Sequence, residues 1–310
     1  MLALNDVNPL EKEKTKTLIV VVGPTGIGKT KLAIDLAQHY QTEIISADSR
    51  QFFKEMTIGT AVPSAEELEA APHHFIQHTT IFEPYSVGDF ESDALSLLDN
   101  LFQKQDVVIM AGGSGLYIKA VVEGLDAFPE VDAQYRETLN DELSTSGLAP
   151  LQDELRKVDP KYAAVADMDN PHRVIRALEI CRATGKTFSS FLGKPKPQRS
   201  FKTQYIGITA DRELIYDRIN RRVDLMMEMG QLKEAEGLFA HKALNALQTV
   251  GYQELFNYFE GKWTLEFAIA EIKKNSRRYA KRQLTWLRKN EAIHWVEFDN
   301  ALEMALNHLQ

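Results

Sequence analysis

The stretch from Thr17 to Tyr40 restricts this chain more than any other. TLIVVV at 17–22 is a short apolar run rich in β-branched residues, the pattern of a parallel strand buried on both faces. Gly23-Pro24-Thr25-Gly26-Ile27-Gly28-Lys29-Thr30 follows and fits G-x-x-x-x-G-K-[ST]. Lys31–Tyr40 then repeats apolar residues at helical spacing. Strand, glycine-rich turn and helix in that order make a phosphate loop. Glycines let backbone N–H groups turn inward around phosphate oxygens, and the helix N-terminus adds partial positive charge. Lys29 can neutralise the terminal phosphate, and the Thr30 hydroxyl can hold Mg²⁺. The spacing leaves ATP, GTP and other diphosphates open as ligands.

The rest of the chain continues the alternation. Glu43–Ser46, Asp106–Met110, Gln204–Ile208 and Ile293–Phe298 read as strands. Ser64 with Glu67 forms a capping box, and Ser86 opens an amphipathic helix through Phe90, Ala94, Leu98 and Leu101. The expected class is α/β, a phosphate-loop NTPase-like parallel sheet flanked by helices. Asp132 to Arg182 reads as helices alone, with Asn170-Pro171 starting one and Gly185 ending it. The expected domains are a core, 1–125 and 200–310, with C-terminal helices, and a mostly helical insertion, 126–199. Residues 1–16 are polar and are expected to be a loose tail.

Composition narrows the function. The 310 residues are 44% hydrophobic and 26% charged, which excludes a disordered chain. One cysteine, Cys181, excludes an internal disulfide and a multi-cysteine zinc site. No run approaches a membrane span, and the N-terminus has no apolar signal core. A cytoplasmic monomer is expected. The net charge is −8, yet 271–290 holds Lys273, Lys274, Arg277, Arg278, Lys281, Arg282, Arg288 and Lys289 against Glu271 alone. Lys274, Arg278 and Arg282 form one row, with Arg277 and Lys281 beside it. Cations interleaved with Tyr279 and Trp286 suit a single-stranded RNA loop, although Trp286 itself is expected in the core. His73-His74 is not expected to bind zinc, because adjacent strand residues point to opposite faces.

Two features separate the chain from ordinary kinases. Asp106–Met110 runs into Ala111-Gly112-Gly113-Ser114-Gly115, with no carboxylate where an NTPase supports Mg²⁺. Asp48 instead follows the second strand and belongs to the same sheet rim as the phosphate loop.

Together these segments resemble the tRNA dimethylallyltransferases, also called tRNA isopentenyltransferases. The resemblance rests on residues 23–30, on Asp48-Ser49-Arg50-Gln51, and on Ile58-Gly59-Thr60-Ala61. It continues through Pro72-His73-His74, Gly112–Tyr117, Asn170–Glu179, Val250-Gly251-Tyr252 and Tyr279–Trp286. It implies transfer of a dimethylallyl group from dimethylallyl diphosphate to the exocyclic amine of an adenosine. That adenosine lies 3′ of the anticodon in tRNAs reading codons that begin with U. Gly23–Thr30, Arg218 and Arg222 would hold the diphosphate with Mg²⁺ on Thr30, and Asp48 and Thr30 would be catalytic. Arg218 and Arg222 lie one helical turn apart and share a face.

Expected tRNA contacts are Asp48, Ser49, Arg50, Gln51, Ser114, Arg136, His172, Arg173, Val174, Ile175 and Arg176. Gly251, Tyr252, Arg278, Lys281 and Arg282 complete the set. Gln51 is expected to pair its amide with the adenine edge. The target base would have to leave the anticodon stack. Ile27, Phe52-Phe53 and Gln253-Glu254 depart from the family's usual residues. A phosphate-loop small-molecule kinase, a nucleic-acid-dependent NTPase or RNA-binding module, and an isopentenyltransferase acting on free adenine nucleotide are the competing readings.

Overall fold

The computed structural model describes residues 15–309. The expected tail thus falls, for residues 1–14, outside the described residues. The chain divides into two compact units, one of residues 1–123 with 199–310 and one of 124–198.

The larger unit is built on six parallel strands: β1 (Thr17–Val22), β2 (Ile44–Ser46), β3 (His73–His74), β4 (Val107–Ala111), β5 (Lys202–Thr209) and β6 (Ile293–Glu297). Their order is β3-β2-β4-β1-β5-β6. β1 lies between β4 and β5, which explains its unbroken apolar run. Leu18, Val20 and Val22 enter one core, and Ile19 and Val21 enter the other on the opposite face. In such a sheet the loops at the carboxyl ends of the strands gather the functional groups.

The second strand is shorter than its sequence suggests and β5 is longer. The first helix, Lys29–Tyr40, takes in Lys29 and Thr30. The capping box at Ser64 forms, and Ser86 makes a second one with Asp89. The departure at Phe52-Phe53 is a matter of packing: Phe52 is fully buried among Phe90, Tyr117, Tyr85 and His78.

The smaller unit is helical, with Ala133–Ser146, Ala149–Val158 and Pro171–Thr184 enclosing its own core. Asn170 caps the last of these through His172 and Arg173 N–H, and Gly185 closes it in the left-handed region. Val174, Ile175, Ala177 and Leu178 line that core. The expectation that Val174 and Ile175 touch tRNA is corrected by their burial, at 0% and 5% exposure, because helical spacing turns them inward between Arg173 and Arg176. His172 and Arg173 are exposed. Glu179 is buried and receives both Arg136, at 2.6 Å, and Arg176, at 3.0 Å.

Candidate active site

The phosphate loop leaves β1 at Gly23, whose Cβ, if present, would lie 3.0 Å from the Ile208 carbonyl oxygen. The helix that follows is capped by Gly28 at φ 105°, with no side chain among the described residues capping its first N–H groups. Those uncapped donors and the helix dipole favour an anion. Thr25, Gly26, Gly28, Lys29 and Thr30 line a cleft of about 600 Å³. Gly23, Pro24 and Ile27 are not among the residues lining it. The Ile27 side chain is wholly buried and its N–H turns back to Pro24 O, so its departure from the usual small polar residue is absorbed by the core.

Lys29 Nζ donates to Pro24 O at 2.9 Å. Burial lowers its pKa to about 8, the Asp48 carboxylate raising it and Arg222 lowering it. Arg218 and Arg222 reach the same cleft from the Arg212–Met229 helix. Arg218 Nε donates to Gly26 O at 2.9 Å, and its guanidinium lies 4.4 Å from the Phe298 ring centroid. Arg222 has no hydrogen-bond partner among the described residues. Burial lowers its pKa against the opposing pull of Asp48. Lys29, Lys31, Arg218, Arg221 and Arg222 outnumber Asp48 and Glu67 in the cleft, giving an acidic protein a local site for a polyanion.

Asp48 borders both this cleft and a smaller adjoining pocket of about 130 Å³. Its Oδ1 accepts Arg50 N–H at 3.1 Å, a turn that fixes the carboxylate. Arg50 is tied down in turn, donating to the Asn245 and Ala246 carbonyls at 2.9 and 3.0 Å. Gln51 corrects an expectation. Its Nε2 donates to the Thr60 and Ala61 carbonyls, at 3.2 and 2.8 Å, and its Oε1 faces Ser46 Oγ. The amide holds a turn and is not free to pair with a base.

Gly112 leaves no room for a carboxylate after β4: a Cβ there would sit 2.2 Å from the Ala47 carbonyl oxygen. The rim is closed by backbone packing, which explains why a glycine stands there. Ser114 instead accepts Ser49 N–H at 3.0 Å and approaches Ser49 Oγ at 3.1 Å. Both border a second groove, of about 370 Å³, with Tyr279, Arg282, Gln283 and Trp286.

Two aromatic expectations are also corrected. Tyr252 is fully buried, with its hydroxyl on Glu234 Oε1 at 2.7 Å, so it holds the fold. Its neighbour Gly251 does border the small pocket. Trp286 is 41% exposed, and one side of its ring lies against Gly115. A Cβ on Gly115 would be 2.6 Å from that ring.

The basic helix, Leu265–Leu287, is split by its surroundings. Lys273 pairs with Asp224, and Arg277 donates to Asn220, each at 2.5 Å. The expectation of Arg277 beside Lys281 on an open face is corrected, since packing against the Arg212–Met229 helix turns it away. Lys274 pairs with Glu271. Arg278, Lys281, Arg282, Arg288 and Lys289 stay exposed.

Sequence reasoning missed Gln283 as a site residue. Its Oε1 accepts Thr25 N–H at 2.9 Å and its Nε2 donates to Gly113 O at 3.0 Å. One buried amide thereby joins the phosphate loop to the rim after β4. The signal was a polar residue at a core position of an amphipathic helix, between Ala280 and Leu287. His73 and His74 point apart, to Ala71 O and to Glu43. Among the described residues no helix is long and apolar enough to cross a membrane.

Residues 51–290 match the family model described as IPP transferase. A tRNA dimethylallyltransferase of Christiangramia forsetii is 60% identical over 94% of this chain and 97% of its own length. That of Flavobacterium johnsoniae is 55% identical over 91% and 94%. The crystal structure of the full-length tRNA isopentenylpyrophosphate transferase of Bacillus halodurans superposes with a TM-score of 0.71 at 38% identity, covering 95% of each chain. A eukaryotic dimethylallyltransferase acting on tRNA gives 0.75 at 28% identity, over 92% of this chain and 74% of that one. With a cationic phosphate-loop cleft opening beside Asp48 and matches of this extent, the chain belongs to the IPP transferase family, with the tRNA dimethylallyltransferases as its relatives.

Proposed function

We propose that this protein transfers a dimethylallyl group from dimethylallyl diphosphate to the exocyclic amine of an adenosine in tRNA. The adenosine is the one 3′ of the anticodon in tRNAs reading codons that begin with U. The observation that carries this reading is Asp48, a carboxylate shared by the cationic cleft and the small pocket beside it. One space suits a diphosphate, and the other suits a nucleophile.

The reaction breaks an allylic C–O bond and forms a C–N bond. Negative charge grows on the departing diphosphate, and fixed cations in a low-dielectric site stabilise it as it develops. Lys29, Arg222 and the uncapped helix N–H groups supply that field. Arg218 braces the loop through Gly26. The adenine amine becomes acidic only as the new bond forms, so an ordinary carboxylate suffices as proton acceptor. Asp48 takes the proton, and its turn with Arg50 holds it in place. Holding both reactants in one orientation supplies a further large share of the rate.

The donor set fits Mg²⁺ bound largely through substrate. No group of three or more His, Cys, Asp or Glu among the described residues could hold a metal by itself. The Thr30 hydroxyl has no hydrogen-bond partner among them and borders the cleft. Mg²⁺ commonly keeps few protein ligands and several phosphate oxygens, and on Thr30 it would neutralise charge on the leaving group. The tRNA would meet Arg278, Lys281 and Arg282, with His172 and Arg173 of the insertion as further contacts.

Radiolabelled dimethylallyl diphosphate incubated with unmodified tRNA or with AMP tests the reading. Label in tRNA and not in AMP is expected. Label in AMP would make it a free-nucleotide enzyme, and ATP turnover without prenyl transfer would make it a kinase or NTPase.

A further inference from the structure

Gln231 is the first residue of the Gln231–Leu238 helix and is 1% exposed. Its Oε1 is buried with no hydrogen-bond partner among the described residues. Native proteins seldom leave a buried carbonyl oxygen unmatched unless a ligand or water completes it. This side chain borders the small pocket together with Asp48, Arg50, Thr60 and Thr249. It reaches that place because Gly251 has no side chain: a Cβ there would lie 2.6 Å from Gln231 Nε2, and Gly251 holds φ at +100°. A pocket of about 130 Å³ is several times the roughly 10–15 Å³ that one water requires, so it has room for a larger group.

A primary amide offers a donor and an acceptor side by side, which match the N7 acceptor and N6 donor of adenine. Gln51 cannot play this part, since its amide is engaged by Thr60 and Ala61. We propose that Gln231 reads the N6/N7 edge of the target adenine from the small pocket, opposite Asp48. Its Oε1 accepts one N6 hydrogen, and its Nε2 donates to N7. Asp48 receives the other N6 hydrogen as the N6–C bond forms and the C–O bond to diphosphate breaks. The last torsion of a glutamine is soft, so the amide can turn its two ends to suit the base. Guanine would set its O6 acceptor against both Oε1 and the Asp48 carboxylate and be rejected. The inference rests on adenine being the acceptor, as proposed above.

The test uses two synthetic anticodon stem-loops, one with adenosine and one with 7-deazaadenosine at the target position. Wild type and Gln231→Leu are assayed on both with saturating dimethylallyl diphosphate. Loss of N7 should lower kcat/KM of the wild type roughly 10- to 100-fold, the discrimination expected of a paired amide contact. Gln231→Leu should be lowered on adenosine and show no further drop on the 7-deaza substrate. Gln231→Glu keeps an acceptor but loses the donor, so it too should become insensitive to N7 and serves if the leucine variant does not fold. An equal 7-deaza penalty in wild type and variant overturns the proposal. Failure of the underlying reading looks different: the wild type would prenylate neither RNA.

Discussion

Tyr252 donates its hydroxyl to Glu234 at 2.7 Å, and the same carboxylate receives the backbone N–H groups of Thr57, Ile58 and Gly59 at 2.9, 2.7 and 2.8 Å. One charge therefore collects four donors and fixes the Ile58–Ala61 turn. That turn supplies the two carbonyls that hold Gln51, which lies three residues after Asp48. The buried tyrosine thus acts on the site through a chain of hydrogen bonds. Tyr252→Phe removes one charge-assisted bond and should lower the unfolding free energy by about 1.5–3 kcal/mol. Urea denaturation measures it, and an unchanged midpoint would show that the three N–H groups alone hold Glu234.

Gln283 links Thr25 N–H to Gly113 O. Gln283→Ala frees both groups and loosens the phosphate loop from the rim. The affinity of a nonreacting diphosphate analogue should fall by about tenfold, as for loss of a buried bond costing roughly 1–3 kcal/mol. Calorimetric titration reads it directly. If the affinity is retained, the loop holds its shape without this bridge.

Lys29 is pushed down to about 8 by burial, with Asp48 opposing and Arg222 adding to the shift. In the proposed function its ammonium is the form that binds diphosphate. Below pH 8 the free protein already carries that charge. Above it the lysine must take up a proton to bind, so analogue affinity should fall by about tenfold per pH unit. A profile flat from about pH 7 to 9.5 would mean Lys29 stays charged or does not touch the ligand.

Asp48→Ala would disturb two things, because Oδ1 also accepts Arg50 N–H. Asp48→Asn keeps an oxygen for that turn and cannot take a proton. We expect kcat to fall about 10²- to 10⁴-fold, the range of a lost general base, with tRNA affinity nearly unchanged. A kcat close to wild type would remove Asp48 from the proton-acceptor role.

Residues 17–30 were legible in sequence because a local pattern fixes local geometry: β-branched strand, glycine turn, helix N-terminus. The same held for the capped helix at Asn170 and for the face shared by Arg218 and Arg222. What stayed hidden depends on partners far along the chain. Gln51 and Tyr252 sit in motifs that suggest contact with substrate, yet Thr60, Ala61 and Glu234 claim their polar groups. Val174 lies on an apolar stripe with Ala177, Leu178 and Cys181 that helical spacing already marks as buried, whereas the burial of its neighbour Ile175 comes with the packing of three helices. Gln231 lies in no motif, and Gln283 lies within Tyr279–Trp286 without a role of its own. Their meaning comes from Gly251, Thr25 and Gly113, which no spacing along the chain connects to them.

The basic helix yields a test with an internal control. Arg278 and Arg282 are exposed, whereas Lys273 and Arg277 on the same helix are paired with Asp224 and Asn220. Arg278→Ala with Arg282→Ala and Lys273→Ala with Arg277→Ala change net charge equally. Long-range attraction to RNA should therefore drop alike in the two double variants. Only the first pair is placed to meet phosphates, and removing each cation from its phosphate should reduce the slope of log affinity against log salt by about 0.7–0.9. The second pair should leave that slope near wild type and instead weaken packing of the helix, read as a lower Tm. Diphosphate binding should be untouched in the first variant, since exposed charges are screened beyond about 8–10 Å. Equal slopes in wild type and both variants would show that this face is merely solvated, leaving the insertion to hold the tRNA.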